Sequence, residues 1–428
     1  MLLRFRVSNY RSLRDEQELS LVASSLDDPQ GAVVRLDDLG IGVLPVAAIY
    51  GANAAGKSNV LGALQFMRNA VLGSHRRWKP EGPIPLDPFL LDPKYRDGTS
   101  LFEVDFLLQG VRHRYGFELN RDKILKEWLS AYPRQREQVW FTRDAERAEP
   151  FKFGKHFKGG NRAIEALTRP NSLFLAVAAE NNHHAALPIY TWLSEGLVSI
   201  NSRDQRWLEV PAAFMFRDDS LRLNALQLLK AADLGITDIQ LREAPIDDRV
   251  TQPIKSVLAF AEFDSNPNEA GKGRTAPLLE LRHRDKFGGT SLPLEQESNG
   301  TRVWLSIVAQ VLRILKAGSI LCVDELDTSL HPYLALEVIR MFQDPIRNPM
   351  HAQLLFNTHD TTLLGNLLGG PHLRRDQVWF VEKDGEGATH LYPLSDFKPR
   401  KDENLERGYL QGRYGAIPFI APETVEFG

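Results

Sequence analysis

The chain has 428 residues, more than one hydrophobic core usually holds, so two or more lobes are expected. Its 43% hydrophobic and 25% charged residues are ordinary globular values, and a net charge of -3 gives no global field to draw the molecule to nucleic acid. The single cysteine, Cys322, excludes an intramolecular disulfide and suits a reducing cytoplasm.

In chain order, Met1–Val7 alternates like a strand, not like the apolar core of a signal peptide. No apolar run is long enough to span a bilayer, so a cytoplasmic protein without membrane contact is expected. Val46-Ala47-Ala48-Ile49-Tyr50 reads as a buried strand. Val60, Leu64, Met67 and Val71 then recur at helical spacing. Lys79–Asp97, rich in proline, reads as a connection. Phe102 to Leu108 and Val111 to Phe117 alternate on either side of Gln109-Gly110, the pattern of an antiparallel hairpin.

From about Arg134 to Arg162 the chain is polar and basic, and a solvated loop is expected, with DNA contact as the sharper reading. Asn171–Glu195 and Asp219–Ala232 carry helical patterns. The pair His183-His184 in the first of them is expected at the surface. Asp264–Arg274 reads as a linker. After it, short apolar strands at Ile320–Val323, Leu354–Phe356 and Val378–Val381 alternate with helices at Trp304–Leu315 and Pro332–Phe342. That order predicts an α/β sheet covered on both faces.

Between the first buried strand and the first helix lies Gly51-Ala52-Asn53-Ala54-Ala55-Gly56-Lys57-Ser58. Two glycines, a lysine and a hydroxyl at this spacing form a phosphate-binding loop. Its backbone N–H groups make an anion nest at a helix N-terminus. Lys57 is expected on the outer phosphates of ATP, and Ser58 on a magnesium ion. The expected nucleotide contacts are Gly51, Asn53, Ala54, Ala55, Gly56, Lys57, Ser58 and Asn59. Ile320-Leu321-Cys322-Val323-Asp324-Glu325 is an apolar strand ending in two carboxylates, at the end where an open α/β sheet binds its ligand. Asp324 is expected to hold magnesium, and Glu325 to activate the attacking water. Ser298-Asn299-Gly300 opens a helix, where it could bind an anion or simply cap the helix. His359 follows a strand and can reach a γ-phosphate or the water, although a lone histidine is more often structural. No Asn-Lys-x-Asp motif appears, so an adenine nucleotide is expected.

The order Ser58, Ser298, Asp324-Glu325, His359 resembles the ABC-type ATPase head shared by RecF, SMC proteins and OLD-family ATPases. Asn9-Tyr10-Arg11-Ser12 is similar to the start of such heads. Glu297–Arg302, Asp324–Pro332 and Gly408–Pro418 resemble AAA-type ATP-binding proteins of bacterial abortive-infection and anti-phage loci. The resemblance implies an ABC-type P-loop head, with a mixed sheet, flanking helices and an antiparallel β subdomain. It implies an N-terminal lobe over 1–150, a largely helical insertion over 151–275 and a C-terminal lobe over 276–428.

It also implies a homodimer in which Ser298 and Gly300 of one subunit complete the γ-phosphate site of the other. Asn299 and Thr301 replace the glycine and glutamine usual in transporters, and His331 replaces an aspartate, so an ordinary transporter subunit is excluded. OLD-like ATPases often end in a TOPRIM nuclease, whereas this sequence stops soon after Pro418. The expected function is therefore a Mg-dependent ATPase switch that controls a separate nuclease or toxin in anti-phage defence. The alternatives are a RecF/SMC-like repair ATPase that binds DNA directly, and a non-catalytic nucleotide-gated scaffold.

Overall fold

The computed structural model describes residues 1–28, 31–201, 212–232, 235–245, 275–286, 289–328, 330–370, 372–399 and 403–418. The predicted linker Asp264–Arg274 lies outside them. The chain divides into two compact units, one of Met1–Ser199, Gly318–Asp324 and Phe342–Gly428, the other of Ile200–Ala317 and Glu325–Met341. Residues 151–199 of the expected insertion thus fall in the first unit, and the Ser298 turn falls in the second.

In the first unit, strands β1 (Leu2–Ser8) and β2 (Gln17–Ser20) are followed by a small ribbon, β3 (Val34–Leu36) and β4 (Ile41–Val43). Strand β5 (Val46–Gly51) is buried along its whole length, as its uninterrupted apolar run requires of a central strand. Helix α1 (Lys57–Gly73) buries Val60, Leu64, Met67 and Val71 on one stripe. After the short helix α2 (Pro93–Arg96) come β6 (Ser100–Leu108) and β7 (Val111–Leu119), joined at Gln109 and Gly110, both at positive φ. Positive φ at both central residues is what a tight hairpin turn needs.

Strands β8 (Ile124–Tyr132), β9 (Gln138–Asp144) and β10 (Phe151–Phe153) complete a seven-stranded sheet in the order β10-β9-β8-β7-β6-β1-β2. The expectation of a solvated loop over 134–162 is thereby corrected. Phe141 and Phe151 alternate inward and pack against Phe174, so the segment has an apolar face that its surface lysines obscure. Helices α3 (Asn161–Leu167), α4 (Phe174–Glu180) and α5 (Leu187–Glu195) follow. The single helical stretch predicted over 171–195 is broken at Asn182, which has a positive φ.

His183 is not at the surface as expected. It is 4% exposed and stacks on Phe157 at 4.4 Å, whereas His184 is exposed. Fully buried Glu127 on β8 accepts hydrogen bonds from the Tyr115 hydroxyl and from the amides of Phe174 and Leu175, which locks α4 to the sheet. Burial pushes its carboxyl above the usual range, although Arg143 lies 4.0 Å away and opposes the shift.

The central sheet has the order β11-β15-β16-β5-β17-β18, formed by β11 (Leu197–Asn201), β15 (Ile320–Asp324), β16 (Gln353–Asn357), β5, β17 (Val378–Lys383) and β18 (Thr389–Pro393). β15, β16, β5 and β17 run parallel, and β18 is antiparallel to β17. Cys322 lies inside β15, and burial pushes its thiol up to about 12, as expected of an inert core residue. Buried Gln353 joins the sheets. It accepts from the Leu2 amide at 2.6 Å and donates to the carbonyls of Leu2 at 2.9 Å and Leu44 at 3.2 Å.

In the second unit, α6 (Asp219–Ala231) is capped by the Asp218 carboxylate, which accepts from the amides of Ser220 and Leu221. It packs on α7 (Asn299–Ala317). Antiparallel strands β12 (Ile236–Pro245), β13 (Thr275–His283) and β14 (Thr290–Pro293) form a separate sheet beside the expected helices. Helix α8 (Pro332–Gln343) follows β15, and α9 (Leu405–Leu410), in the first unit, lies near the end of the described chain. The mixed α/β head with an antiparallel subdomain is the architecture expected. Among the described residues no helix is long and apolar enough to cross a membrane.

Candidate functional site

The parallel strands deliver their C-terminal ends side by side: Asp324 from β15, Asn357 from β16 and the phosphate-binding loop from β5. This is the edge where open parallel sheets bind ligands. Both loop glycines are required by space. A Cβ on Gly51 would stand 2.4 Å from the Val381 carbonyl oxygen. One on Gly56 would stand 2.3 Å from the Thr389 hydroxyl, and the Gly56 φ of 110° is itself strained for any other residue. Ala54, at a φ of 61°, turns the loop between them. Asn53 and Ala54 are exposed, while Ala55 and Gly56 are buried.

Lys57 occupies the first turn of α1 and is 6% exposed. Its ammonium donates to the carbonyl oxygens of Gly51 at 2.8 Å and Ala52 at 3.0 Å, so it lies folded over the loop. Ser58 is exposed, and its hydroxyl donates to Asp324 Oδ1 at 2.8 Å. Fully buried Asn357 donates to the same oxygen. A hydroxyl beside a carboxylate is a pair of hard oxygen ligands, the set that suits magnesium and not a soft metal. The loop amides and Lys57 could take the phosphates of a nucleotide.

Behind the loop lies a support that the sequence did not reveal. The Thr389 hydroxyl donates to the Ala55 carbonyl at 2.7 Å and lies 2.7 Å from the Ser12 hydroxyl. Asn59 donates to Ser12 at 2.6 Å, and the Thr389 amide donates to the Ser12 carbonyl at 2.7 Å. Asn59 therefore braces the loop from its rear through Ser12. Asn357 carried a weak signal, a polar residue at the end of an apolar strand. Thr389 carried none.

His359 follows β16 and is exposed. Asp360, next to it, uses its carboxylate to accept from the Thr362 amide at 2.9 Å and so caps a short helix. Glu325, the residue after Asp324, opens the second unit at a φ of 60°. Its carboxylate accepts from the Thr328 hydroxyl at 3.1 Å. A left-handed glutamate is uncommon and marks a strained strand end. Ser298, also in the second unit, accepts from the Thr301 amide at 3.2 Å, so it does cap α7. Ser298 and Asn299 are exposed and Gly300 is partly so.

The chain matches the family described as "AAA domain, putative AbiEii toxin, Type IV TA system" over residues 46–365. Among curated proteins none matches it. Among solved structures it is similar to the SMC head domain from Thermotoga maritima, at 13% identity and a TM-score of 0.41, over 92% of this chain and 98% of that one. It is also similar to the Smc head domain of Pyrococcus furiosus, solved with an extended coiled coil and bound to the C-terminal domain of ScpA. That likeness is at 13% identity and a TM-score of 0.37, over 96% of this chain and 98% of that one.

Proposed function

The chain belongs to this AAA-domain family, and we propose that it is a cytoplasmic, Mg-dependent ATPase that acts as a switch for a separate nuclease or toxin in bacterial anti-phage defence. The observation that carries the ATPase reading is the contact of Ser58 with Asp324 beside Lys57 on the phosphate-binding loop. The toxin–antitoxin wording of the family description supports an effector context.

In this reading Lys57 leaves the loop carbonyls for the outer phosphates, and the loop amides orient the chain of phosphates. Ser58 and Asp324 hold magnesium, which when bound offsets the charge of the phosphate oxygens. Asn357 fixes the Asp324 carboxylate so that its geometry survives the exchange of ligands. Glu325 takes the proton of the attacking water, and His359 donates to the γ-phosphate or orients that water. Ser298, Asn299 and Gly300 complete the γ-phosphate site of a second copy, so nucleotide binding drives head-to-head dimerisation. A switch needs turnover to reset, and a base at Glu325 supplies it, which favours a catalyst over a passive scaffold.

The test uses two variants. Lys57→Ala should lose ATP binding, because the phosphates lose their cation. Glu325→Gln should bind ATP and fail to hydrolyse it, because only the base is lost. Hydrolysis at the wild-type rate by Glu325→Gln would show that the base is wrongly assigned.

A further inference from the structure

The stretch Phe151–Ile164, FKFGKHFKGGNRAI, holds Lys152, Lys155, His156, Lys158 and Arg162 and no carboxylate. All five side chains are exposed. Among the described residues no carboxylate pairs with Lys152, Lys155 or Lys158, while Arg162 pairs with Glu165 at 2.8 Å. Such a run is usually a loose solvated loop, but here the backbone is pinned. The Gly154 amide donates to the Trp140 carbonyl at 2.8 Å, and the Phe157 amide to the Gly154 carbonyl at 3.0 Å. Phe157 is 1% exposed and stacks on His183.

His183 finishes the anchor. Its Nδ1 accepts from the Ala186 amide at 3.2 Å, which leaves the proton on Nε2 to donate to Asn161 Oδ1 at 2.8 Å. The Asn161 amide group in turn donates to the Phe157 carbonyl at 2.7 Å. The cations are thus carried on a fixed scaffold, and less of their binding energy is lost to ordering.

Beside them lies a shallow, open cleft of about 470 Å³ lined by Phe153, Gly159, Gly160, Asn161, Arg162 and Ala163. One wall is bare backbone, because a Cβ on Gly159 would stand 2.3 Å from His183 Nε2. The Arg162 guanidinium lies 5.6 Å over the Phe153 ring, a flat platform of charge and π-face. Cations along a track, with an aromatic platform and a cleft of nucleotide size, fit a single strand of nucleic acid, whose bases are free to leave the stack. A duplex offers only its phosphates to such a loop.

We propose that single-stranded nucleic acid binds along Lys152–Arg162, with its phosphates on the lysines and one nucleotide in the cleft. This surface is separate from the nucleotide loop, and its test does not rest on the ATPase reading. Binding of fluorescein-labelled oligothymidylate to the full chain is followed by anisotropy across a salt series. The double variant Lys155→Glu/Lys158→Glu should bind about tenfold more weakly or worse, and the slope of log K against log salt should shrink by about 0.7 for each lysine removed. Lys155→Gln/Lys158→Gln should fall between it and wild type. Lys230→Glu, on α6, should bind as wild type does, and all three should keep ATP binding and thermal midpoint. Wild-type protein that fails to bind, a charge-reversed variant that binds as well as wild type, or tighter binding to the matching duplex would each overturn the assignment.

Discussion

Thr389→Val preserves the shape of a side chain and removes one hydroxyl, which makes it a clean test of the support behind the phosphate-binding loop. Two contacts disappear, the donation to the Ala55 carbonyl and the contact with the Ser12 hydroxyl, both at 2.7 Å. A typical buried hydrogen bond contributes about 1 kcal/mol net, so loop order should lose about 2 kcal/mol. With tenfold per about 1.4 kcal/mol, that loss corresponds to roughly 30-fold weaker nucleotide binding. Thr389→Ser keeps the hydroxyl and should remain within about threefold of wild type. The assay is titration with a fluorescent ATP analogue and magnesium, with the thermal midpoint of the nucleotide-free protein measured in parallel. A Thr389→Val protein that binds within about twofold of wild type would refute the idea that this hydroxyl positions the loop.

Gln353→Leu should lower stability by about 3 kcal/mol, because three buried backbone bonds to Leu2 and Leu44 vanish together; an unchanged urea midpoint would contradict this. Glu127→Gln tests the sign of a buried charge. Burial raises the folded carboxyl above its unfolded value, so the stability it contributes is complete below the unfolded pKa and is lost as pH rises through the raised value. The wild-type midpoint relative to Glu127→Gln should therefore fall as pH climbs from acid to neutral, and a rise would mean that Arg143 outweighs burial. In a Glu325→Gln background ATP should increase the dimer fraction measured by sedimentation; Ser298→Arg should abolish that gain, and it should depress turnover on its own. Full turnover in Ser298→Arg would sink the shared-site proposal.

The sequence made the site's centre legible where local pattern and chemistry coincide. β5, the glycine loop and α1 are read from an apolar run, two glycines and a 3.6-residue stripe within one short stretch. β15 was equally plain, because four buried residues end in two acids. β9 and β10 were missed because their outward lysines and arginines mask a few inward aromatics. The break at Asn182 was missed because alanine-rich flanks continue the helical pattern on both sides. Thr389 and Ser12 escaped for a different reason. Their role exists only in tertiary structure, and nothing within a window of either residue points to Ala55. Ser298 offered two readings, and the structure shows the plainer one, a cap on α7.

The placement of β5 between β16 and β17 has a consequence for biosynthesis. Both neighbours of this strand are encoded far downstream of it, and Thr389, which closes the back of its loop, is made roughly 340 residues after Gly51. At about 5–20 residues per second, that interval is roughly 20–70 s. For most of it, six residues destined for complete burial wait without their ladder partners. Such an unpaired apolar strand invites wrong pairing with other nascent chains. The nucleotide helps little, since its loop lacks its brace until β18 has left the ribosome. A chaperone bound over that window would shield the strand until its native pairing can form.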